Sequence, residues 1–235
     1  MEFISLLLYQ PADGYCYNSD TLFLYDFISS FSPKGKVLDV GAGSGVLGLL
    51  IAKNHKITLE AVEKQNQYAF FAKKNATLNG INYHLFESDF LNLSRDHEYD
   101  YIVSNPPFYH DNVIKSTNEL KHAARYNSHL PLNEFFEHVK HLLKPRGVFI
   151  FCYDPQQLQS IVRELDNAKL TMENMRFVYP KRGKRATLVM IKTRKNSKSL
   201  VQVEEPLYAF EENEFSEEAK KIYKKTGTHS IKCTI

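Results

Sequence analysis

Between Lys36 and Leu50 the chain reads Lys-Val-Leu-Asp-Val-Gly-Ala-Gly-Ser-Gly-Val-Leu-Gly-Leu-Leu, an order that few folds accommodate. Val37 to Val40 is a short apolar run carrying one acid, Asp39. Glycines at 41, 43 and 45 then turn the chain into a stretch of helical character that begins at Val46. A strand, a glycine loop and a helix in immediate succession start a βα unit. The loop lets unpaired amides at the helix start approach an anion. Taken alone, the same glycines also suit a tight turn that holds no ligand.

Further units follow. Ile57 to Val62 reads as a second strand ending at Glu63. Ala69, Ala72 and Ala76 then recur at helical spacing until Asn79-Gly80 stops them. Tyr83 to Phe86 and Tyr99 to Ser104 read as a third and a fourth strand, the latter running into Asn105-Pro106-Pro107-Phe108. Leu132, Phe135, Phe136, Val139, Leu142 and Leu143 mark one helix face, ended by Pro145-Arg146-Gly147. Val148 to Tyr153 is a strand apolar on both faces, followed by a helix carrying Leu158, Ile161, Val162 and Leu165. Met175 to Tyr179 and Ala186 to Lys192 flank a turn-rich basic connection and suit an antiparallel hairpin. Upstream, Leu24, Phe27, Ile28 and Phe31 mark a helix that Ser19 or Asp20 would cap. The pattern predicts an α/β sandwich with a mostly parallel sheet. After Ser199 it predicts no definite element.

At 235 residues, with 43% hydrophobic and 24% charged residues, the chain is expected to form one folded domain over 1–235, with an N-terminal segment 1–33 and a C-terminal appendage 196–235. No apolar run approaches the roughly 18 residues of a membrane span, and no basic stretch precedes Ile4 to Tyr9, so neither membrane nor export is expected. Cys16, Cys152 and Cys233 are too far apart for a CxxC motif and read as reduced thiols of a cytoplasmic protein. A net charge of +3 identifies no partner. Its distribution says more. Lys181, Arg182, Lys184, Arg185, Lys192, Arg194, Lys195 and Lys198 occur with no acid among them, and an acidic stretch follows from Glu204 to Glu218. Two solvated faces would look the same.

A dinucleotide fingerprint would place its third glycine at 46, which is Val46, so the pattern is GxGxG and not GxGxxG. Glu63, twenty residues after Gly43, stands where a carboxylate accepts ribose hydroxyls. With Asp39, the string Val-Leu-Asp-Val-Gly-Ala-Gly-Ser-Gly resembles the nucleotide-binding loop of class I S-adenosylmethionine-dependent methyltransferases. The resemblance implies a Rossmann-like sandwich with a mostly parallel seven-stranded sheet and an antiparallel C-terminal hairpin. It also implies S-adenosyl-L-methionine held by Asp39, Gly41, Ala42, Gly43, Gly45, Glu63, Asp89, Phe90 and Asn105. Asp89 would meet the adenine amine and Phe90 would pack the ring.

Asn105-Pro106-Pro107-Phe108 resembles the signature of methyltransferases that act on planar nitrogens. An exocyclic amine has its lone pair delocalised into the ring, so it attacks a sulfonium methyl poorly until acceptors hold its hydrogens and the nitrogen pyramidalises. Asn105 Oδ1 and the Pro106 carbonyl can accept them, because the residue before a proline is extended and two prolines stiffen the turn. Phe108, with Tyr109 beside it, can stack on the base, an interaction worth roughly 1 to 3 kcal/mol. No metal or covalent nucleophile is called for.

Three branches use this motif: adenine-N6 enzymes, guanine-N2 enzymes of ribosomal RNA, and glutamine-N5 enzymes acting on release factors. The last normally carry a separate helical domain before the glycine loop. Gln10 to Phe27, Ala123-Ala124-Arg125, Leu130-Pro131-Leu132 and Tyr179-Pro180-Lys181 resemble the adenine-N6 methyltransferases of valine tRNA, which modify the nucleotide beside the anticodon. The resemblance implies an RNA partner, most simply tRNA. The candidate substrate residues are Tyr109, Arg125, Lys181, Arg182, Lys184 and Arg185, the basic ones supplying phosphate contacts. An RNA-binding module without activity would share them. His138 and His141, near Glu134 and Glu137, imitate a metal cluster, but they fall on the polar side of their helix and no metal is expected.

Overall fold

The computed structural model describes residues 6–106 and 131–234. In chain order these form β1 (Leu6–Pro11), α1 (Ser19–Ser30), β2 (Gly35–Val40), α2 (Val46–Asn54), β3 (Ile57–Val62), α3 (Asn66–Leu78), β4 (Tyr83–Phe86) and β5 (Tyr99–Ser104). After residue 130 come α4 (Leu132–Leu142), β6 (Leu143–Tyr153), α5 (Leu158–Asn167), β7 (Leu170–Tyr179) and β8 (Leu188–Lys195). The C-terminal part adds β9 (Gln202–Val203), β10 (Leu207–Tyr208), β11 (Phe210–Glu211), β12 (Glu214–Phe215), α6 (Glu217–Thr226) and β13 (Thr228–Cys233).

The main sheet has the order β10-β7-β8-β6-β5-β2-β3-β4, with β9 also on β7. Among the described residues it has nine strands where seven were expected, because the two-residue strands β9 and β10 extend the edge beyond β7. Among them β8 alone pairs antiparallel, with β6 and with β7, which confirms the hairpin over longer strands than its apolar runs suggest. The chain order reverses about β2, which lies between β3 and β5. At such a switch point the strand ends diverge and leave a crevice.

The core accounts for these elements. Phe135 and Phe136 of α4 pack on Phe149 and Phe151 of β6, whose rings stack at 4.6 Å. All four are buried, each contributing about 1.5 to 3 kcal/mol relative to exposure. α4 ends at Leu142, before the proline expected to stop it, and its next residue already belongs to β6. The cap of α1 is Asn18, not Ser19 or Asp20, since Asn18 Oδ1 accepts from Asp20 N at 3.1 Å.

β1 lies outside the main sheet and pairs in parallel with β13. Its other edge meets two side-chain amides, Asn75 of α3 and Asn79 at that helix's C-cap. Asn79 accepts from Leu7 N and donates to Leu7 O, and Asn75 does the same for Tyr9. Four residues of helix rise about 6.0 Å, close to the roughly 6.6 Å repeat of two strand residues, so Asn75 and Asn79 substitute for a neighbouring strand.

Candidate active site

The crevice at the carboxyl ends of β2 and β5 encloses about 1130 Å³, open solvent included. Asp39, Gly41, Ala42, Gly43, Glu63, Asp89, Phe90, Asn105 and Pro106 all line it, so the two sequence motifs meet in one place. Gly45 does not line it. A Cβ there would lie 3.3 Å from Ala72, so this glycine permits α2 to approach α3.

The loop is held by its own backbone. Gly41 and Ala42 donate to Val62 O, and Gly43 donates to Glu63 Oε2 at 2.8 Å. Gly43 has φ +55, in the left-handed region, and a Cβ at this position would meet nothing within 4 Å. Glu63 Oε1 accepts from Gln65 N at 2.9 Å. Burial raises the Glu63 carboxyl from its ordinary value, while the N–H groups of Gln65, Gly43 and Lys64 oppose the rise. Gly43 N and Gln65 N thus orient the two oxygens, one each.

Asp39 Oδ2 accepts from Gly48 N at 2.9 Å. A Cβ on Gly48 would sit 2.9 Å from that oxygen, so only glycine lets α2 seat so closely over β2. Burial pushes the Asp39 carboxyl up to about 7, the Glu63 charge adding to the rise and the Gly48 N–H opposing it. Asp39 thus both lines the cleft and anchors α2. Asp89 Oδ1 caps the short turn Phe90–Asn92 by accepting from Leu91 N, and Asp89 Oδ2 lies 3.6 Å from Lys64 Nζ.

Asn105 follows β5 and is gripped from two sides. Its Nδ2 donates to Thr21 Oγ1 of α1 at 3.0 Å, and the Cys152 thiol of β6 donates to its Oδ1 at 3.0 Å. Burial raises the Cys152 thiol well above its usual range, which keeps it a donor. One lone pair of Asn105 Oδ1 remains for a ligand. Ser104 Oγ donates to Val40 O and ties the end of β5 to the end of β2.

The segment after β1 covers the opening. Tyr15, Tyr17 and Thr21 line the cleft, and Tyr15 N donates to the Tyr68 hydroxyl at 2.7 Å. The buried Gln10 Nε2 donates to Ser44 Oγ, and Asn75 Nδ2 to Ser44 O, which fastens β1 to the glycine loop. Tyr17, Lys64, Gln65, Tyr68 and Ser104 are lining residues that the motifs did not reveal. Tyr68 carries no signal of its own, since its position on α3 reads as core.

Pro107, Phe108, Tyr109 and Arg125 lie outside the described residues. Lys181, Arg182, Lys184 and Arg185 are exposed at the β7–β8 connection, away from this cleft. His138, expected on the polar side of α4, is instead half-buried with its ring edge-on to Phe90 at 4.7 Å. Among the described residues no three His, Cys, Asp or Glu side chains come together to hold a metal, and no helix is long and apolar enough to cross a membrane.

Residues 18–178 match the methyltransferase small domain family, well over half of the chain. The chain belongs to that family. Among its relatives, a Dyadobacter fermentans protein named tRNA1(Val) (adenine(37)-N6)-methyltransferase is 26% identical over 76% of this chain and 75% of its own length. A protein of the same name from Flavobacterium psychrophilum is 28% identical over 68% and 71%. The same-named Bacteroides fragilis protein is 32% identical, but the match spans 48% of this chain and half of that protein. The fold is shared with the predicted O-methyltransferase Atu636 of Agrobacterium tumefaciens, with a TM-score of 0.70 at 15% identity, covering 91% of this chain and all of that one.

Proposed function

We propose that this methyltransferase uses S-adenosyl-L-methionine to methylate the exocyclic N6 of an adenine in tRNA, beside the anticodon of valine tRNA as its relatives are named for. The observation that carries the reading is the opening of Asn105 and Pro106 into the same cleft as Gly41, Gly43 and Glu63. The residues fit the cofactor. Space faces Gly41 and Gly43 where side chains would stand, and Gln65 Oε1 is buried in the lining with no partner among the described residues.

When bound, S-adenosyl-L-methionine supplies an electrophilic methyl group on a positively charged sulfur. Glu63 accepts from the ribose hydroxyls, its two oxygens already aimed by Gly43 N and Gln65 N. Asn105 Oδ1 and the Pro106 carbonyl accept the two hydrogens of the target amine and favour the pyramidal nitrogen. Thr21 and Cys152 keep the Asn105 amide from rotating, so little orientational freedom is left to lose during reaction. Phe108 and Tyr109 are the stacking residues of this proposal, with Arg125, Lys181, Arg182, Lys184 and Arg185 on the RNA backbone. Such work belongs in the cytoplasm.

Asn105→Ala tests it. Turnover on tRNA is expected to fall at least about a hundredfold, the usual cost of one positioned hydrogen-bonding group, while calorimetry shows cofactor binding little changed. Digestion of the methylated RNA should yield N6-methyladenosine. N2-methylguanosine, or label transferred to protein instead of RNA, would refute the adenine assignment.

A further inference from the structure

A second cleft lies between the β7–β8 connection and the β11–β12 hairpin. Lys181, Lys184 and Arg185 line one side, and Phe210, Glu212 and Asn213 the other. The space measures about 920 Å³, open solvent included. β7 is parallel to β6 through the intervening β8, so its end lies on the same edge of the sheet as Asn105. In the order β5-β6-β8-β7 the two are three strand steps apart, about 14 Å at the usual spacing.

The three cations are exposed and form no ion pair among the described residues. Glu212 faces them across the cleft and forms none either. Its backbone is at φ +53, a conformation that glycine or asparagine adopts at lower cost. Phe210 stacks on Phe215 at 4.8 Å and is still 37% exposed.

These groups select among ligands. Three cations suit a phosphodiester, and an exposed ring face suits a base. A carboxylate in the same cleft repels a bare polyphosphate. It accepts from a ribose 2′-hydroxyl or an amino edge, and Asn213 can donate or accept beside it. We infer that the cleft between Lys184 and Phe210 holds one ribonucleotide of the substrate RNA, a neighbour of the target base, with its phosphate on Lys181, Lys184 and Arg185 and its hydroxyl on Glu212. This rests on the proposal that the substrate is RNA.

The test is fluorescence anisotropy with a single-stranded RNA oligonucleotide and its DNA counterpart across a salt series, beside methylation of total tRNA. In the variant with Lys181, Lys184 and Arg185 all changed to alanine, the slope of log K against log salt should fall by about two, near 0.7 per lost contact. Phe210→Ala should weaken binding about tenfold and Phe210→Tyr restore it. Glu212→Gln should reduce the preference for RNA over DNA and leave the salt slope unchanged. Thermal melts check that each variant folds. Wild-type binding by all three kinds of variant overturns the cleft while the enzyme still methylates tRNA. A Glu212→Gln gain shared equally by RNA and DNA makes the carboxylate merely repulsive and overturns the ribose contact. If the wild-type protein neither binds nor methylates any RNA, the proposed function falls first and this inference with it.

Discussion

Lys192, Arg194 and Lys195 on β8 belong to the same acid-free run as Lys181, Lys184 and Arg185, yet the fold uses the two groups in opposite ways. On the strand every cation is engaged. Lys192 Nζ meets Glu173 Oε2 at 2.7 Å with both side chains buried, and it lies 4.7 Å from the Phe31 ring centroid. Arg194 Nε takes the other oxygen of Glu173 at 2.9 Å. Lys195 Nζ donates to Lys140 O, one of the last carbonyls of α4, which lack helical partners, and to Leu143 O at the start of β6. At the tip Lys181, Lys184 and Arg185 have no ion pair among the described residues and face an open cleft. Density of charge in a sequence therefore says little about a partner. What matters is whether the fold places an acceptor, a carboxylate or a carbonyl, opposite each cation.

The largest expected effect is on the strand. Glu173→Ala would leave Lys192 buried beside only Asn174 Oδ1 and the Phe31 ring, and removing one member of a buried pair costs about 3 to 5 kcal/mol. Urea unfolding should show a loss near the lower end, since those contacts persist, with RNA affinity unchanged. A loss under about 1 kcal/mol would place Lys192 with the free cations. Burial alone would raise the Glu173 carboxyl, but hydrogen bonds from Lys192, Arg194 and Ser197 hold it down to about 2. In the unfolded chain a glutamate titrates near 4.3. The folded form thus binds fewer protons between these values. The stabilisation is complete above about pH 4.3 and is lost as pH falls toward about 2. The gap between wild type and Glu173→Ala should narrow over that window.

A smaller effect is expected at the tip, and on a different quantity. Lys181→Ala with Lys184→Ala should change stability by no more than about 0.5 kcal/mol, as exposed substitutions usually do. In methylation of tRNA it should raise KM about tenfold and leave kcat unaltered, the mark of contacts equal in ground and transition states. A fall in kcat with constant KM would move these lysines from grip to positioning and break the contrast with β8.

How much was legible follows from the range of the interactions. Gly41, Gly43 and Glu63 could be read because the constraint is local: a strand, a turn needing positive φ, and a carboxylate at the next strand end. Asn105 could be read because the prolines after it constrain the same turn. Its two partners could not, since Thr21 and Cys152 are 84 and 47 residues away and reach it only through the order of the sheet. Tyr68 was hidden in the same manner. The cap of α1 was assigned to Ser19 or Asp20 and is Asn18, because three capping residue types stand in a row and only the backbone shows which one precedes the first turn. β9 and β10, at two residues each, are too short for any period to register. α6 was legible and missed. Ser216 caps it, Glu217 and Glu218 open it, Lys224 and Lys225 close it, and Gly227 ends it at φ +51.

Arg182 falls between the two groups and sharpens the division. It belongs to the tip by sequence, but its guanidinium lies 4.9 Å from the Tyr208 ring centroid, and Tyr208 packs in turn on Tyr179 at the end of β7. An exposed contact of this kind is worth about 0.5 to 1 kcal/mol. Arg182→Ala should therefore cost roughly 0.5 kcal/mol in urea unfolding, little but measurably more than either lysine. It should lower the salt slope of RNA binding by less than Lys184→Ala does. Arg182→Lys should recover the charge without the planar stacking, and so return the slope but not the stability. Should Arg182→Ala instead match Lys184→Ala in both measurements, the ring contact contributes nothing, and the boundary between engaged and free cations lies at the first residue of β8.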